Sequence, residues 1–207
     1  VYVTAAKKAV FGDVGIDMLA GPSEVLIIAD SSANAAHLVY DILAQAEHDP
    51  DAACLLVTTS KKLAEDVKEA LEGLGDSDPK ALKNTAILIA KNLEEAVEFA
   101  NEYAPEHLEI VATEEEKVLE KVRNAGSVFL GAYSPVAAGD YASGTNHILP
   151  TGRCARFQSG LNVGHFLKRM SVQRLSKKGL QGIGDTITTL AEAEGLKYHS
   201  KSVKKRL

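Results

Sequence analysis

The sequence predicts a three-layer α/β/α domain with a mainly parallel sheet over residues 21–150, followed by a helical C-terminal tail. Three observations point there. Five short segments are apolar almost throughout, as strands buried on both faces are. Helical segments separate them, and that alternation builds a parallel sheet covered on both sides. The alternation stops after Leu130, where a stretch rich in Gly, Ser, Ala and Pro begins.

The elements follow in order. Residues 4–10 read as the end of a helix, and residues 1–20 as the remnant of a preceding unit, because the chain opens at Val1 without methionine and in mid-element. Gly12, Gly15, Gly21 and Pro22 then break regular structure. Residues 24–29 form an apolar run of strand length. Ser31, Ser32 and Asn34 offer caps for a helix over 35–48, with Leu38, Ile42 and Leu43 on one side. Asp49 and Pro50 stop it. A strand over 54–58 and an amphipathic helix over 61–74 follow, the latter carrying Leu63, Val67, Ala70 and Leu71. A third strand spans 86–90, and Asn92 caps a helix reaching Tyr103. A fourth strand over 108–112, a helix over 113–124 and a fifth strand over 127–130 complete the pattern.

Residues 131–164 have little periodicity. A loop this long in a compact protein is usually functional or disordered. Because it leaves the carboxyl end of a strand, where sheets of this class bind ligands, function is favoured. The segment 151–207 reads as an extension with a short strand at 171–175 and helices at 186–194 and 200–206.

Bulk properties narrow the classes. The 23 Lys and Arg against 28 Asp and Glu leave a net charge of −5. A nucleic-acid partner would require a net basic face. The longest apolar runs are far too short to span a bilayer, so no membrane is expected. No signal peptide is visible. Two cysteines, Cys54 and Cys154, suit a reducing compartment, and a cytoplasmic location is expected.

Several residues could carry chemistry. Gln45 and His48 are three apart near a helix end and project from one face. They could ligate a metal, although a surface His complementing the helix dipole is the plainer reading of that spacing. Glu106 and His107 adjoin at a strand mouth behind Pro105, a placement suited to acid–base work and equally to a polar turn. Asp140 and His147 lie among small residues that let backbone approach a ligand closely, or that make a surface loop. Ser23 follows Gly21 and Pro22, where a turn hydroxyl is common. Glu194 and His199 flank Gly195, itself a natural helix stop. Lys201, Lys204, Lys205 and Arg206 read as a solvated helix face. Cys54 is expected to be buried and inert; Cys154 has Arg153 and Arg156 beside it but no His. Neither G-x-G-x-x-G nor a Walker-type loop is present. Gly73-Leu74-Gly75 follows a helix instead of a strand.

Taken in order, these segments resemble histidinol dehydrogenase. The residues are Ile16-Asp17-Met18-Leu19-Ala20-Gly21-Pro22-Ser23-Glu24, Ala44-Gln45-Ala46-Glu47-His48 and Ala104-Pro105-Glu106-His107-Leu108. Residues 139–147, 166–170 and 192–196 continue the resemblance. It implies a fold akin to aldehyde dehydrogenases and NAD-dependent oxidation of L-histidinol to L-histidine, in histidine biosynthesis. It implies zinc held by Gln45, His48, Asp140 and His199, with His199 acting across a homodimer. It implies that Glu106 and His107 are the acid–base pair. Contacts to the substrate would come from Ser23, His107, His147 and Glu194 together with the zinc ligands. Family members are longer at the N-terminal side, where most NAD contacts are expected, so this chain is expected to be the C-terminal part and inactive alone. The competing classes are a zinc-dependent hydrolase, with Glu106 activating water, and a non-catalytic, metal-stapled dimerisation module.

Overall fold

A computed structural model describes residues 2–74 and 80–207; Val1 and Gly75 of the segments above lie outside the described residues. The chain divides into two compact units, Val1–Phe166 and Leu167–Leu207.

The first unit is a five-stranded, all-parallel sheet. Its strands are β1 (Glu24–Ala29), β2 (Ala53–Thr58), β3 (Thr85–Ile89), β4 (His107–Val111) and β5 (Ser127–Leu130), in the spatial order β3-β2-β1-β4-β5. A helix precedes the sheet, α1 (Tyr2–Val10). Four connections carry α2 (Ala35–Ala46), α3 (Lys61–Glu72), α4 (Leu93–Tyr103) and α5 (Glu115–Leu119). A sixth helix, α6 (Val136–Tyr141), follows β5. The caps explain where three helices start. Asn34 accepts from the Ala36 N–H, Ser60 from Leu63 and Asn92 from Glu95.

Alternation along β1 splits the core in two. Val25, Ile27 and Ala29 pack with Leu38 and Ile42 of α2, Leu63 and Val67 of α3, and Val136 of α6. Leu26 and Ile28 face the other way, with Leu108 and Ile110, onto Ala96, Val97 and Ala100 of α4 and Val118 of α5. Apolar side chains on both faces of the central strand β1 are therefore buried, as its continuous apolar run requires, whereas Leu88 and Ile89 of the edge strand β3 are exposed. Cys54 lies in the first core, and burial pushes its thiol up to about 11, which suits an inert residue.

Two expectations are adjusted in this unit. The helix expected over 113–124 contracts to Glu115–Leu119. The buried side chain of Asn101 intervenes. Its Nδ2 donates to the Lys121 carbonyl at 2.9 Å, and its Oδ1 accepts from the Arg123 N–H at 2.6 Å. Backbone groups that would extend α5 are taken by this amide. Within 131–164, the six-residue α6 escapes periodicity because one and a half turns of small residues leave no repeat to read.

The second unit pairs α7 (Lys177–Ala193) with α8 (Lys197–Lys204). α7 begins well before the expected Thr186. Gly179, Gly182 and Gly184 lower its intrinsic propensity, but Ser176 caps it by accepting from the Gly179 N–H. A Cβ on Gly184 would lie 2.6 Å from Leu207 Cδ1, so this glycine permits the chain end to pack closely. Gly195 takes φ +75 and turns α7 into α8, the helix-stop role its position offered. The strand expected over 171–175 does not form; a strand needs a pairing partner, and among the described residues none pairs with this segment. No described helix is long and apolar enough to cross a membrane.

Candidate active site

In a parallel sheet each crossover helix runs back against the strands, so its last turn returns to their amino ends. Gln45 lies in the last turn of α2, with His48 just beyond, and both therefore sit at the amino edge. Ser23 and Glu24 enter β1 at the same edge, and Glu106 and His107 enter β4 beside them, with Val25 in register with His107.

Local chemistry places Glu106 and His107. α4 ends on Ala104 in the left-handed region, φ 55, whose N–H bonds the Ala100 carbonyl at 2.7 Å. Pro105 then denies further helix, and the chain turns directly into the strand. The ladder to β5 opens with Ser127 N–H to the Glu106 carbonyl at 2.9 Å. Gly126 must lack a side chain here, since a Cβ would lie 2.6 Å from that carbonyl oxygen.

Glu24 ties the pair together through its main chain. Its N–H donates to Glu106 Oε2 at 2.9 Å, and its carbonyl lies 3.0 Å from His107 Nδ1. A carbonyl only accepts, so Nδ1 carries the proton and Nε2 presents a lone pair. The Glu24 side chain turns elsewhere, its Oε1 accepting from the Gly152 N–H at 2.9 Å.

Both members of the pair are 5% exposed. Burial pushes the Glu106 carboxyl up to about 7; the Glu24 N–H and Ser23 hydroxyl oppose that, and the charges of Glu24 and Asp140 add to it. Burial likewise lowers His107 below its ordinary value, against the Glu24 carbonyl and the Asp140 charge, with His48 adding to the lowering. His107 Nε2 is buried and has no hydrogen-bond partner. Gln45, 3% exposed, has neither Oε1 nor Nε2 bonded. Of the six buried partnerless side-chain atoms among the described residues, four belong to Glu24, Gln45 and His107. Each such atom costs about 1–3 kcal/mol, and their concentration at one edge marks a place where a ligand completes the bonding.

A sequence profile of the family described as Histidinol dehydrogenase matches residues 1–207. The chain belongs to the histidinol dehydrogenase family. The histidinol dehydrogenase of Methanocaldococcus jannaschii is 57% identical over 213 residues, covering 100% of this chain and 49% of that protein. That of Archaeoglobus fulgidus is 52% identical over 207 residues, covering 100% and 50%. A crystal structure of histidinol dehydrogenase from Elizabethkingia anophelis superposes with a TM-score of 0.92 at 42% identity, over 99% of this chain and 49% of that one. The chain thus spans about half the length of the curated relatives it matches.

Against the residues expected for a histidinol dehydrogenase, the first unit gathers Ser23, Gln45, His48, Glu106, His107 and Asp140 at the amino edge. Asp140 arrives there because α6 starts beside Glu109 and runs back along the sheet. His48 is exposed and Asp140 half-buried. His147 lies exposed in the loop after α6. Glu194, at the end of α7, and His199, on α8, are exposed residues of the second unit. Among the described residues, no three His, Cys, Asp or Glu side chains are drawn into a closed metal cage. The donor types nonetheless suit zinc: imidazole nitrogen and carboxylate oxygen, supplemented by an amide oxygen that has no protein partner.

The candidate residues gather at the edge opposite the one that the departure of the loop after Leu130 pointed to. Sheets of this class usually bind ligands beyond their carboxyl ends, where strand order reverses. Here the reversal lies between β1 and β4, and at its carboxyl end Asp30 ties together the loops that leave the two strands. That carboxylate accepts from the Ser32 N–H and the Thr113 N–H, each at 2.8 Å. Sequence reasoning also missed Glu24 as the hub of the site. The signal available was its place directly after Gly21-Pro22-Ser23, but a strand's first residue gives no hint that its main chain will orient an imidazole.

Proposed function

We propose that this chain carries the zinc-binding, substrate-binding and acid–base part of a histidinol dehydrogenase, which oxidises L-histidinol to L-histidine through the aldehyde. The observation that carries the reading is the buried, oriented Glu106–His107 pair beside a buried Gln45 amide with no partner.

The bare Nε2 of His107 takes the hydroxyl proton of the alcohol as each oxidation begins. Low basicity keeps the ring neutral and ready to accept. Glu106, pushed up to about 7, is partly ionised near neutral pH and removes a proton from the water that adds to the aldehyde. Zinc, when bound, supplies a template for the substrate's imidazole and amino nitrogens, with Gln45, His48 and Asp140 holding it alongside His199 of the partner subunit. NAD, when bound, supplies the hydride acceptor; the residues that hold it are assigned to the half of the relatives outside this chain. Ser23, His147 and Glu194 orient the polar groups of the amino alcohol.

Calorimetric titration of histidinol into chelator-treated and zinc-restored protein tests the template. Binding should require zinc, and equal affinity in both states would sink the reading. The same preparation should form no NADH from histidinol and excess NAD, because the nicotinamide must be held within about 3–3.5 Å of the substrate carbon.

A further inference from the structure

A second buried carboxyl, Glu109, lies two residues beyond His107 on the same face of β4. It is 2% exposed, among Phe129 of β5, Val136 of α6 and, on α2, Leu38 and the Asp41 carboxyl. Its Oε1 accepts from the Val136 N–H, the first residue of α6, at 3.0 Å, and its Oε2 has no partner.

α6 has few other means of holding its place. Six residues form too short a helix to stand alone, and Pro135 at its cap position makes no side-chain cap bond. Glu109, reaching over from the sheet, satisfies the N–H of the first helical residue, one of those a helix leaves without an internal partner. One turn on, a Cβ on Gly139 would lie 2.5 Å from Phe129 Cε1, so the helix backbone rests directly on that ring. These two points fix both position and rotation of α6. The next residue is Asp140, whose charge is felt by both Glu106 and His107.

We infer that Glu109 is a positioning residue: by bonding the first N–H of α6 it holds that helix against β5 so that Asp140 is presented to Glu106 and His107. The inference rests on the reading above that Asp140 serves the site. The charge state agrees with it. Burial, then the Asp41 charge from α2, push Glu109 up to about 8, while burial raises Asp41 itself against the pull of His37. Burial favours the neutral acid at Glu109, and an amide can replace it as acceptor.

The test compares Glu109→Gln, which keeps an acceptor oxygen, with Glu109→Leu, which keeps the bulk and removes it. Amide exchange at Ala142 and Ser143, both bonded to the Ala138 carbonyl, reports α6 itself. Cobalt(II) titration, followed by the visible absorption of the bound ion, reports Asp140. Glu109→Leu should speed exchange at those amides about tenfold and weaken cobalt binding about tenfold, the scale of one buried hydrogen bond. Strand amides such as Ile27 and Ile110 should exchange unchanged, and Glu109→Gln should match the native chain in both readouts. Native-like exchange in Glu109→Leu overturns the inference. So does Glu109→Gln behaving like Glu109→Leu, or cobalt affinity in Glu109→Leu unchanged while Asp140→Asn weakens it. If the native chain binds no cobalt, or binds it as well after Asp140→Asn, the metal reading fails instead, and amide exchange alone then decides whether Glu109 pins α6.

Discussion

Glu106 and His107 stand in contrast to His48, His147, Glu194 and His199. The first two are buried, shifted in basicity by that burial, and tied to the Glu24 main chain. The other four are exposed, with no side-chain hydrogen bond among the described residues. The groups proposed to transfer protons are thus set by the sheet before any ligand arrives. The groups assigned to hold metal and substrate are left with open valences. Gln45 falls between, buried like the pair and unbonded like the exposed set. Groups that must change protonation at a chosen pH need a fixed, dry setting; groups that bind need only be free and nearby.

The largest effect that could break this contrast is on rate. In a full-length enzyme carrying these residues, His107→Asn should lower oxidation about 10²–10⁴-fold, the scale of a general base, while leaving substrate affinity far less changed. Glu106→Gln should impair oxidation of supplied aldehyde more than that of the alcohol. Steady-state and single-turnover kinetics check both, and a His147→Ala loss equal to that of His107→Asn would erase the distinction.

Next in size is a pH effect on stability. Glu106 and Glu109 sit at about 7 and 8 in the folded chain, against an ordinary value of 4.5. Between those values the folded chain retains protons that the unfolded chain has released, so stability falls as pH rises. Their contribution is full below about pH 4.5 and is lost as pH passes 7 to 8. Thermal melts of metal-free protein from pH 5 to 9 should decline by up to about 1.4 kcal/mol per pH unit for each group over its own window. Glu106→Gln and Glu109→Gln should each flatten the decline; an unchanged slope in both would show that other groups cause it.

A smaller effect tests Gln45. Replacing an unbonded buried amide with Leu should stabilise the metal-free chain by about 1 kcal/mol and abolish the rise in melting temperature that zinc gives. Zinc stabilising Gln45→Leu as much as the native chain would remove Gln45 from the ligand set. Smallest of all, His147→Ala and His199→Ala should leave the metal-free melting curve within about 0.5 kcal/mol of native, as exposed, unbonded side chains do.

The central strand β1 was legible because burial on both faces writes it as an unbroken apolar run, and Asn92 announced its helix through cap chemistry. α7 was legible only in its second half, since three glycines disguise a helix whose start is fixed by Ser176. The candidate residues were legible as motifs, but not the edge that gathers them. Motifs far apart in the chain meet only once strand order is known, and Val25 of β1 comes beside His107 of β4 across 82 residues. Glu109 gave no sign at all, as one acidic residue in an apolar strand looks the same whether it faces solvent or props a distant helix.

The imidazole of His107 is steered by a main-chain oxygen, at Glu24, and not by a carboxylate side chain. An alanine scan of the neighbourhood would find every side chain around that ring and miss the group that chooses its tautomer, since no codon change deletes a carbonyl. The orientation of this ring is therefore inherited with the pairing of β1 and β4, and random mutation can damage it mainly by disturbing the ladder between them. Probing it calls for chemistry at the backbone itself, such as an ester in place of the peptide link after Glu24, which weakens the acceptor and leaves all side chains as they are.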